Sequence, residues 1–170
     1  MIKKKGKGAC TMEFVNGLDF PREIGELFRE YTEMLVEGDP KFQIYLDLQN
    51  YDDELQHLEG KYGPPGGRLI LAVEDGEAAG CIALKQMDEP GRCELKRLYV
   101  RPAFRGCGLG RELTEKIIAA ARELGYREML LDTLPFLQSA QRLYRAAGFC
   151  EIEKYNDSPM DDATYMKLEL

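Results

Sequence analysis

Residues 105–110, RGCGLG, stand between a run that favours a β-strand and a pattern that favours a long helix. The run covers residues 93–100, CELKRLYV, and a turn at Arg101-Pro102 separates it from the glycines. A glycine-rich turn between a strand and a helix directs several backbone N–H groups to one point, where the helix dipole adds partial positive charge. Alternate glycines also let a bulky anion approach the backbone without meeting a Cβ atom. The pattern therefore predicts an anion site at the start of the helix.

The charge of this segment supports a phosphate or pyrophosphate as the anion. From Arg92 to Arg111 there are six basic residues and one acidic residue, whereas the whole chain has a net charge of −7. Such a basic island in an acidic protein is typical of a phosphate site. Two common phosphate loops do not fit. No Gly-Lys-Ser/Thr completes a P-loop, and Arg111 and Leu113 stand where the dinucleotide fingerprint needs its third glycine.

Two motifs point to one family. Arg105, Gly108 and Gly110 fill the pattern Arg/Gln-x-x-Gly-x-Gly/Ala, which resembles the acetyl-CoA pyrophosphate loop of the GNAT superfamily of N-acetyltransferases. Residues 140–149, AQRLYRAAGF, look like the family's A-x-x-L-Y-x-x-x-G-F at about the expected distance downstream. The resemblance covers roughly residues 69–153, and the two motifs occur in the family's order within matching strand and helix patterns.

The periodicity of apolar residues predicts an α+β fold in a single domain over residues 1–170. The resemblance implies a GNAT-like mixed central β-sheet flanked by helices, with the cofactor in the splay between two parallel strands. Those strands would hold residues 98–100 and 131–133, and the amide-rich pantetheine arm would pair with their open edges. The predicted strands are 11–15, 69–74, 78–86, 93–100, 129–133, 149–154 and 164–169, and the predicted helices are 21–38, 40–58, 109–124 and 139–147.

The composition argues against several classes of protein. No apolar run reaches the length of a membrane span, and no apolar signal core follows the basic residues 1–7. A pI of about 4.9 argues against nucleic acid or an anionic membrane as a partner. The sole histidine, His57, lies among acidic residues, so we expect it on the surface and expect no histidine-based triad or metal site. Five cysteines (10, 81, 93, 107 and 150) without a C-x-x-C pair predict a reduced, cytoplasmic protein.

The resemblance also implies which residues bind acetyl-CoA, the expected co-substrate, and it implies no metal. Arg105 and the amides of the glycine loop would hold the pyrophosphate. Arg111 would assist, because cations are disfavoured at a helix N-terminus unless an anion is bound. Cys107 is interpreted as a bystander rather than an acyl carrier, and Leu137 stands where many members have an asparagine that touches the cofactor. The predicted cofactor-binding residues are Leu98, Tyr99, Val100, Arg105, Gly106, Cys107, Gly108, Leu109, Gly110, Arg111 and Thr133.

Two residues are candidates for proton transfer. Tyr144 falls on the motif tyrosine, whose hydroxyl lies near the CoA sulfur in many members, and it is the candidate general acid. The alternative is a helix tyrosine that packs on the sheet. Glu94 is the candidate general base, since the histone-acetylating branch of the family has a glutamate at a similar offset before the loop. The alternative is a surface carboxylate paired with Lys96 or Arg97.

The leading interpretation is an N-acetyltransferase that moves the acetyl group from acetyl-CoA to a primary amine of a small molecule or peptide by direct attack in a ternary complex. A non-catalytic acyl-CoA-binding or sensor domain, and a transferase for a longer acyl group, are the alternatives. Acidic residues in the presumed specificity elements hint at a cationic acceptor, and the sequence leaves a homodimer open. Those residues are Glu33, Glu37, Asp39, Asp47, Asp52, Asp53, Glu54, Asp157, Asp161 and Asp162.

Overall fold

The structure is a computed structural model, and it describes residues 11–170. The basic segment 1–7 and Cys10, both noted in the sequence, lie outside the described residues. Between residues 11 and 170, no helix is both long and apolar enough to cross a membrane. The described residues form one mixed sheet with helices on both faces, and the α+β prediction is confirmed.

Seven strands of the described chain form the central sheet, in the order β1-β2-β3-β4-β5-β7-β6 along it. They are β1 (Met12–Asn16), β2 (Arg68–Glu74), β3 (Glu77–Gln86), β4 (Arg92–Val100), β5 (Glu128–Thr133), β6 (Cys150–Ile152) and β7 (Thr164–Glu169). Neighbouring strands are antiparallel, except that β4 and β5 run parallel. Each strand is close to its prediction, although the edge strand β6 is shorter.

Helices cover both faces of the sheet. Within residues 11–170 they are α1 (Pro21–Gly38), α2 (Phe42–Leu48), α3 (Tyr51–Gln56), α4 (Leu58–Tyr62), α5 (Leu109–Glu123) and α6 (Gln138–Ala146). The apolar stripe of α1, with Ile24 and Phe28 fully buried, packs with α4 on one face. The stripe of α5, with Leu113 and Ile117, packs on the other face beside α6. Both stripes are the ones that the helical spacing predicts.

The segment 40–58 differs from its prediction as one helix, because the chain is interrupted at Asn50 and at His57. Asn50 has a φ of +56°, a left-handed conformation that asparagine tolerates better than most residues. Within α3, Glu54, one of the acidic residues taken as a hint of a cationic acceptor, is buried. A tertiary contact of Glu54 therefore outweighs the local helical preference of this segment.

That contact is a buried ion pair between Glu54 and Arg97 of β4. The Arg97 Nε and Nη2 atoms donate to the two Glu54 oxygens at 2.9 and 2.8 Å, and the Tyr62 hydroxyl donates at 2.7 Å. Lys61 also pairs with the carboxylate. Burial alone would raise the pKa of Glu54, but hydrogen bonds and charge from Arg97, with Lys61, hold it well below its usual value. The pair joins α3 and α4 to the sheet.

Replacing Glu54 with glutamine should lower the free energy of unfolding by about 3–5 kcal/mol, because it leaves the Arg97 charge buried without its partner. Glu54 ionises at lower pH in the folded chain than its usual value of 4.5. Its contribution is therefore present above that pH and is lost as the pH falls further, so the two proteins should converge in acid. Urea unfolding at several pH values measures this. The exposed Glu59→Gln on α4 is the matched control, and equal losses in both variants would contradict the assignment.

The parallel pairing of β4 with β5 is short, and the gap beyond it forms the candidate site. Its paired residues are Arg92–Glu128, Cys93–Met129 and Glu94–Leu130. A bulge sets two residues of β4 opposite Ile82 of β3, and Arg97 within it has a φ of +59°. Bulges bend a strand and strengthen its twist. Beyond Glu94 and Leu130 the two strands part, and the predicted splay between parallel strands is confirmed.

Candidate active site

The parted strands open into a cleft of about 770 Å³, a volume typical of small-molecule sites. Its walls come from the second half of α1, the second half of β4, the glycine loop, the first turn of α5, the end of β5 and the start of α6. Neither Cys107 nor Glu94 lines it. The other residues predicted from the sequence do: Leu98, Tyr99, Val100, Arg105, Gly106, Gly108, Leu109, Gly110, Arg111, Thr133 and Tyr144.

The glycine loop leads into a helix whose first turn has no side-chain cap. Gly106 and Gly108 have φ values of +83° and +87°, which side chains disfavour. Gly108 is the N-cap of α5 and offers no side-chain acceptor. The N–H of Glu112 donates to the Gly108 carbonyl at 3.0 Å, so the N–H groups of residues 109–111 have no acceptor within the helix. Three donors and the positive end of the helix dipole thus lie at the cleft, as an anion requires.

Two arginines add positive charge at the same rim. The Arg105 Nε donates to the Val100 carbonyl at 2.8 Å, and its guanidinium lies 5.8 Å from the centroid of the Tyr99 ring. Arg111 Nε lies 3.8 Å from Oε1 of Glu115, which is one helical turn along α5. Exposed contacts of this kind contribute little free energy, so either guanidinium can turn towards an anion.

Cys107 lies outside the cleft. Its side chain is exposed, and its Sγ atom is 3.0 Å from the Phe104 carbonyl oxygen. A thiol in this position does not face the splay between β4 and β5. The thiol position fits the interpretation of Cys107 as a bystander, and its backbone amide lies in the loop between Gly106 and Gly108, which line the cleft.

The open edges of the strands fit an amide-bearing ligand such as the pantetheine arm of acetyl-CoA. Residues 95, 96, 99 and 100 of β4 pair with β3, and none of residues 95–100 pairs with β5, so one edge of this segment is open. Thr133 Oγ1, at the end of β5, is buried and has no hydrogen-bond partner within residues 11–170. An unpaired buried polar atom costs about 1–3 kcal/mol. A ligand with amide groups, placed between the strands, would supply hydrogen-bond partners to the open edge of β4 and to Thr133 Oγ1.

Tyr144 reaches from α6 to the point where the cleft meets a second, smaller cavity. Its ring packs on Phe149, with 5.7 Å between centroids, as the packing interpretation predicts. Tyr31 and Asp132 line the same two spaces. Burial raises the pKa of Tyr144 well above 10, and these two neighbours add to the effect. The hydroxyl therefore keeps its proton throughout the neutral range and is available as a donor.

Glu94 is buried rather than on the surface, which corrects one of the two interpretations of this residue. Its Oε1 atom lies 3.0 Å from Lys96 Nζ, and both side chains are less than 10% exposed. Lys96 in turn donates to Gln49 Oε1 at 3.3 Å. Lys96 lines the smaller cavity, whereas Glu94 does not.

The smaller cavity, of about 40 Å³, adjoins the cleft through the splay. Asp132 on β5 lines both spaces and accepts hydrogen bonds from Tyr45 on α2, at 2.6 Å, and from Asn156 Nδ2, at 3.1 Å. Sequence reasoning missed these three residues. Asp132 lies 87 positions from Tyr45 and 24 positions from Asn156 along the chain. The one available signal was that Asp132 precedes Thr133 at the end of a predicted strand. The residues shared by the two spaces are Tyr31, Leu98, Asp132, Thr133, Leu137 and Tyr144.

The acidic residues that hinted at a cationic acceptor are mostly away from both spaces. Glu37 lines the cleft, and Glu54 is committed to Arg97. His57 is exposed and pairs with Asp53 at 3.0 Å, so its predicted surface position is confirmed. In the described chain, no group of three or more histidine, cysteine, aspartate or glutamate side chains is placed to hold a metal ion. The other acidic residues of this group line neither space; they are Glu33, Asp39, Asp47, Asp52, Asp53, Asp157, Asp161 and Asp162.

Solved structures share this architecture, and they are acyltransferases. An acetyltransferase of the GNAT family from Staphylococcus aureus aligns with a TM-score of 0.75 at 22% identity, over 94% of this chain and 99% of that one. The PaiA N-acetyltransferase from Thermoplasma acidophilum, solved in complex with coenzyme A, aligns with a TM-score of 0.72 at 17% identity, over 94% and 99%. These likenesses establish the fold.

Sequence comparisons define the family. A family model described as the acetyltransferase (GNAT) family matches residues 24–149, well over half of the chain. An uncharacterised N-acetyltransferase from Schizosaccharomyces pombe is 41% identical over 157 residues, which are 92% of this chain and 94% of that protein. The chain therefore belongs to the acetyltransferase (GNAT) family, and it is an acyltransferase.

Proposed function

We propose that the protein is an N-acetyltransferase that moves the acetyl group from acetyl-CoA to a primary amine of a small molecule or peptide. The observation that carries this proposal is the meeting of two unlike spaces in the splay between β4 and β5. The large cleft has an anion-binding loop at its rim, and the small cavity contains a carboxylate. Tyr144 and Thr133 line both, so a donor in one space and an acceptor in the other would meet there.

The cysteines favour direct attack in a ternary complex over an acyl-cysteine route. None of the four described cysteines lines the cleft or the small cavity. Burial raises the pKa of the Cys81 and Cys93 thiols to about 12, so both stay protonated at neutral pH. A protonated thiol is a poor nucleophile. The acceptor amine is thus the nucleophile that we propose.

The chain's own groups would bind and orient the donor. Bound acetyl-CoA supplies the acetyl thioester. Arg105, Arg111 and the amides of residues 106–111 would hold its pyrophosphate at the N-terminus of α5. The open edge of β4 and Thr133 would pair with the pantetheine arm. Backbone amides of residues 98–100 would lie against the thioester oxygen and stabilise the charge that develops there.

Two side chains are proposed to move protons. Tyr144 would donate its hydroxyl proton to the departing thiolate; its position at the junction suits this role, and its raised pKa keeps the hydroxyl protonated. Glu94 remains the proposal from the sequence for the group that collects the amine proton. Because Glu94 pairs with Lys96 and does not line the cavity, it would act through a relay rather than by direct contact.

An acetyl-CoA turnover assay against a broad panel of primary amines tests the proposed function. We expect release of free CoA with at least one amine, and a raised thermal midpoint with acetyl-CoA or CoA. A ligand at 100 times its Kd adds about 2.7 kcal/mol to stability. Binding without turnover on any amine would favour the non-catalytic sensor. Faster turnover of butyryl-CoA would favour the longer acyl group, and no binding at all would contradict the proposal.

A further inference from the structure

At the opening between the cleft and the small cavity, one carboxylate oxygen of Asp132 accepts hydrogen bonds from the protein and the other does not. Both of its hydrogen bonds, from Tyr45 at 2.6 Å and from Asn156 at 3.1 Å, are accepted by Oδ2. Within residues 11–170 no donor is bonded to Oδ1. Two donors from separate segments, α2 and the loop before β7, thus hold the carboxylate and leave one oxygen for a ligand.

No cation of the described chain is placed against Asp132. The two cations that line the small cavity are both held by other carboxylates: Lys96 pairs with Glu94 at 3.0 Å, and Arg97 pairs at 2.8 Å with Glu54, which Lys61 also contacts. A half-buried carboxylate without a cationic partner is costly. The arrangement favours a positively charged ligand at this one point.

The other titratable groups near Asp132 do not supply that charge. Burial raises the pKa of Tyr45 above its usual value, and Asp132 adds to the effect. Burial also raises the pKa of Tyr155, again with Asp132 contributing. Tyr144 and Tyr31, on the cleft side, are likewise raised by burial. All four hydroxyls are neutral at pH 7, so none of them supplies a positive partner for Asp132.

The size of the cavity restricts the shape of the ligand. Its volume of about 40 Å³ holds roughly three water-sized groups, at about 10–15 Å³ for each. Leu35, Phe42 and Leu134 supply apolar walls, and Phe42 packs edge-on against Tyr45 with 5.5 Å between centroids. A slender stem fits such walls, whereas a branched stem does not.

We propose that Asp132 binds the acceptor as a primary ammonium ion on a short, unbranched stem and that Asp132, in place of Glu94, takes one of its protons. This inference rests on the proposed function, whose amine site it identifies. Asp132 Oδ1 accepts a proton from the ammonium and later releases it to solvent. The lone pair that deprotonation leaves on the amine nitrogen forms the C–N bond to the acetyl carbon as the C–S bond breaks. Tyr144 gives its proton to the thiolate and regains one from the nitrogen.

A matched pair of amines tests this role at saturating acetyl-CoA and pH 7. Ethylamine is an ammonium ion at this pH, whereas 2,2,2-trifluoroethylamine has a similar size and is neutral, because its fluorines withdraw electrons. We expect Asp132→Asn to lower kcat/KM for ethylamine by about 10²-fold and for trifluoroethylamine by less than about threefold. Tyr45→Phe should show the same selectivity with a smaller loss. Isopropylamine should be a much poorer substrate than ethylamine.

The controls separate this inference from the proposed function. Asp88→Asn, in an exposed turn, should leave both amines unaffected, and Asp132→Asn should keep the full thermal stabilisation by acetyl-CoA. Equal losses for both amines in Asp132→Asn would mean a structural role and would overturn the inference. So would a selective loss in Glu94→Gln without one in Asp132→Asn. If the wild type acetylates other amines but neither of this pair, the inference fails while the proposed function stands.

Discussion

Replacing Gly108 with valine should abolish the binding of both acetyl-CoA and CoA while the protein still folds. Gly108 has a φ of +87°, and a Cβ atom added there would meet only Arg111 Nη2, at 4.0 Å. The new side chain would therefore clash with little in the protein itself. It would instead occupy the space through which phosphate oxygens reach the amides of α5. The backbone strain costs about 1–3 kcal/mol, which a typical domain tolerates.

The measurement is the thermal midpoint of the variant with and without ligand. Gly125→Val is the matched control, since Gly125 also has a positive φ, +82°, and an added Cβ would meet nothing within 4 Å. Gly125 ends α5 far along the helix from the loop. Both variants should lose similar stability, but only Gly108→Val should lose the shift on adding CoA. If Gly108→Val keeps a normal shift, the loop is not the pyrophosphate site.

Replacing Tyr144 with phenylalanine should lower kcat by about 10²-fold, the lower end of the range for loss of a general acid. The ring contact with Phe149 does not use the hydroxyl, so folding and the affinity for acetyl-CoA should change little. Steady-state kinetics separate these effects, because KM for the donor should stay near that of the wild type. The raised pKa also means that Tyr144 should cause no alkaline loss of kcat below about pH 10.

Tyr31 provides the comparison for Tyr144. Tyr31 lines the same two spaces, and burial raises the pKa of its hydroxyl to about 12. Tyr31→Phe removes a hydroxyl from the same junction, yet it should leave kcat within a few-fold of the wild type. If Tyr31→Phe loses as much activity as Tyr144→Phe, the loss in Tyr144→Phe does not identify Tyr144 as the proton donor. If neither loses activity, the thiolate takes its proton from water or from the amine.

The glycine loop was predictable from the sequence because its geometry is local. Positive φ values at Gly106 and Gly108, and the start of a helix at Leu109, follow from neighbouring residues. The apolar stripes of α1 and α5 are likewise set by spacing within one helix. For that reason the predicted cofactor-binding residues lie together in the cleft, apart from Cys107.

The small cavity was not predictable, because it depends on contacts between distant segments. Asp132 meets Tyr45 across 87 positions, and Arg97 meets Glu54 across 43. The pattern of charges around residue 54 is typical of a solvated helix, and no local signal shows that this carboxylate turns inward. Glu94 is a similar case, since a strand residue beside two cations gave no sign of its burial.

The joint between β4 and β5 consists of three residue pairs, and it holds the two halves of the sheet together across the middle. A donor laid in the splay would add hydrogen bonds across this joint that the chain does not make by itself. The donor would then be part of the folded structure as well as a reactant. Since a ligand of the folded state protects it by mass action, the protein would unfold and be degraded more readily when acyl-CoA is scarce. Its abundance in a cell would thus follow the supply of its own donor.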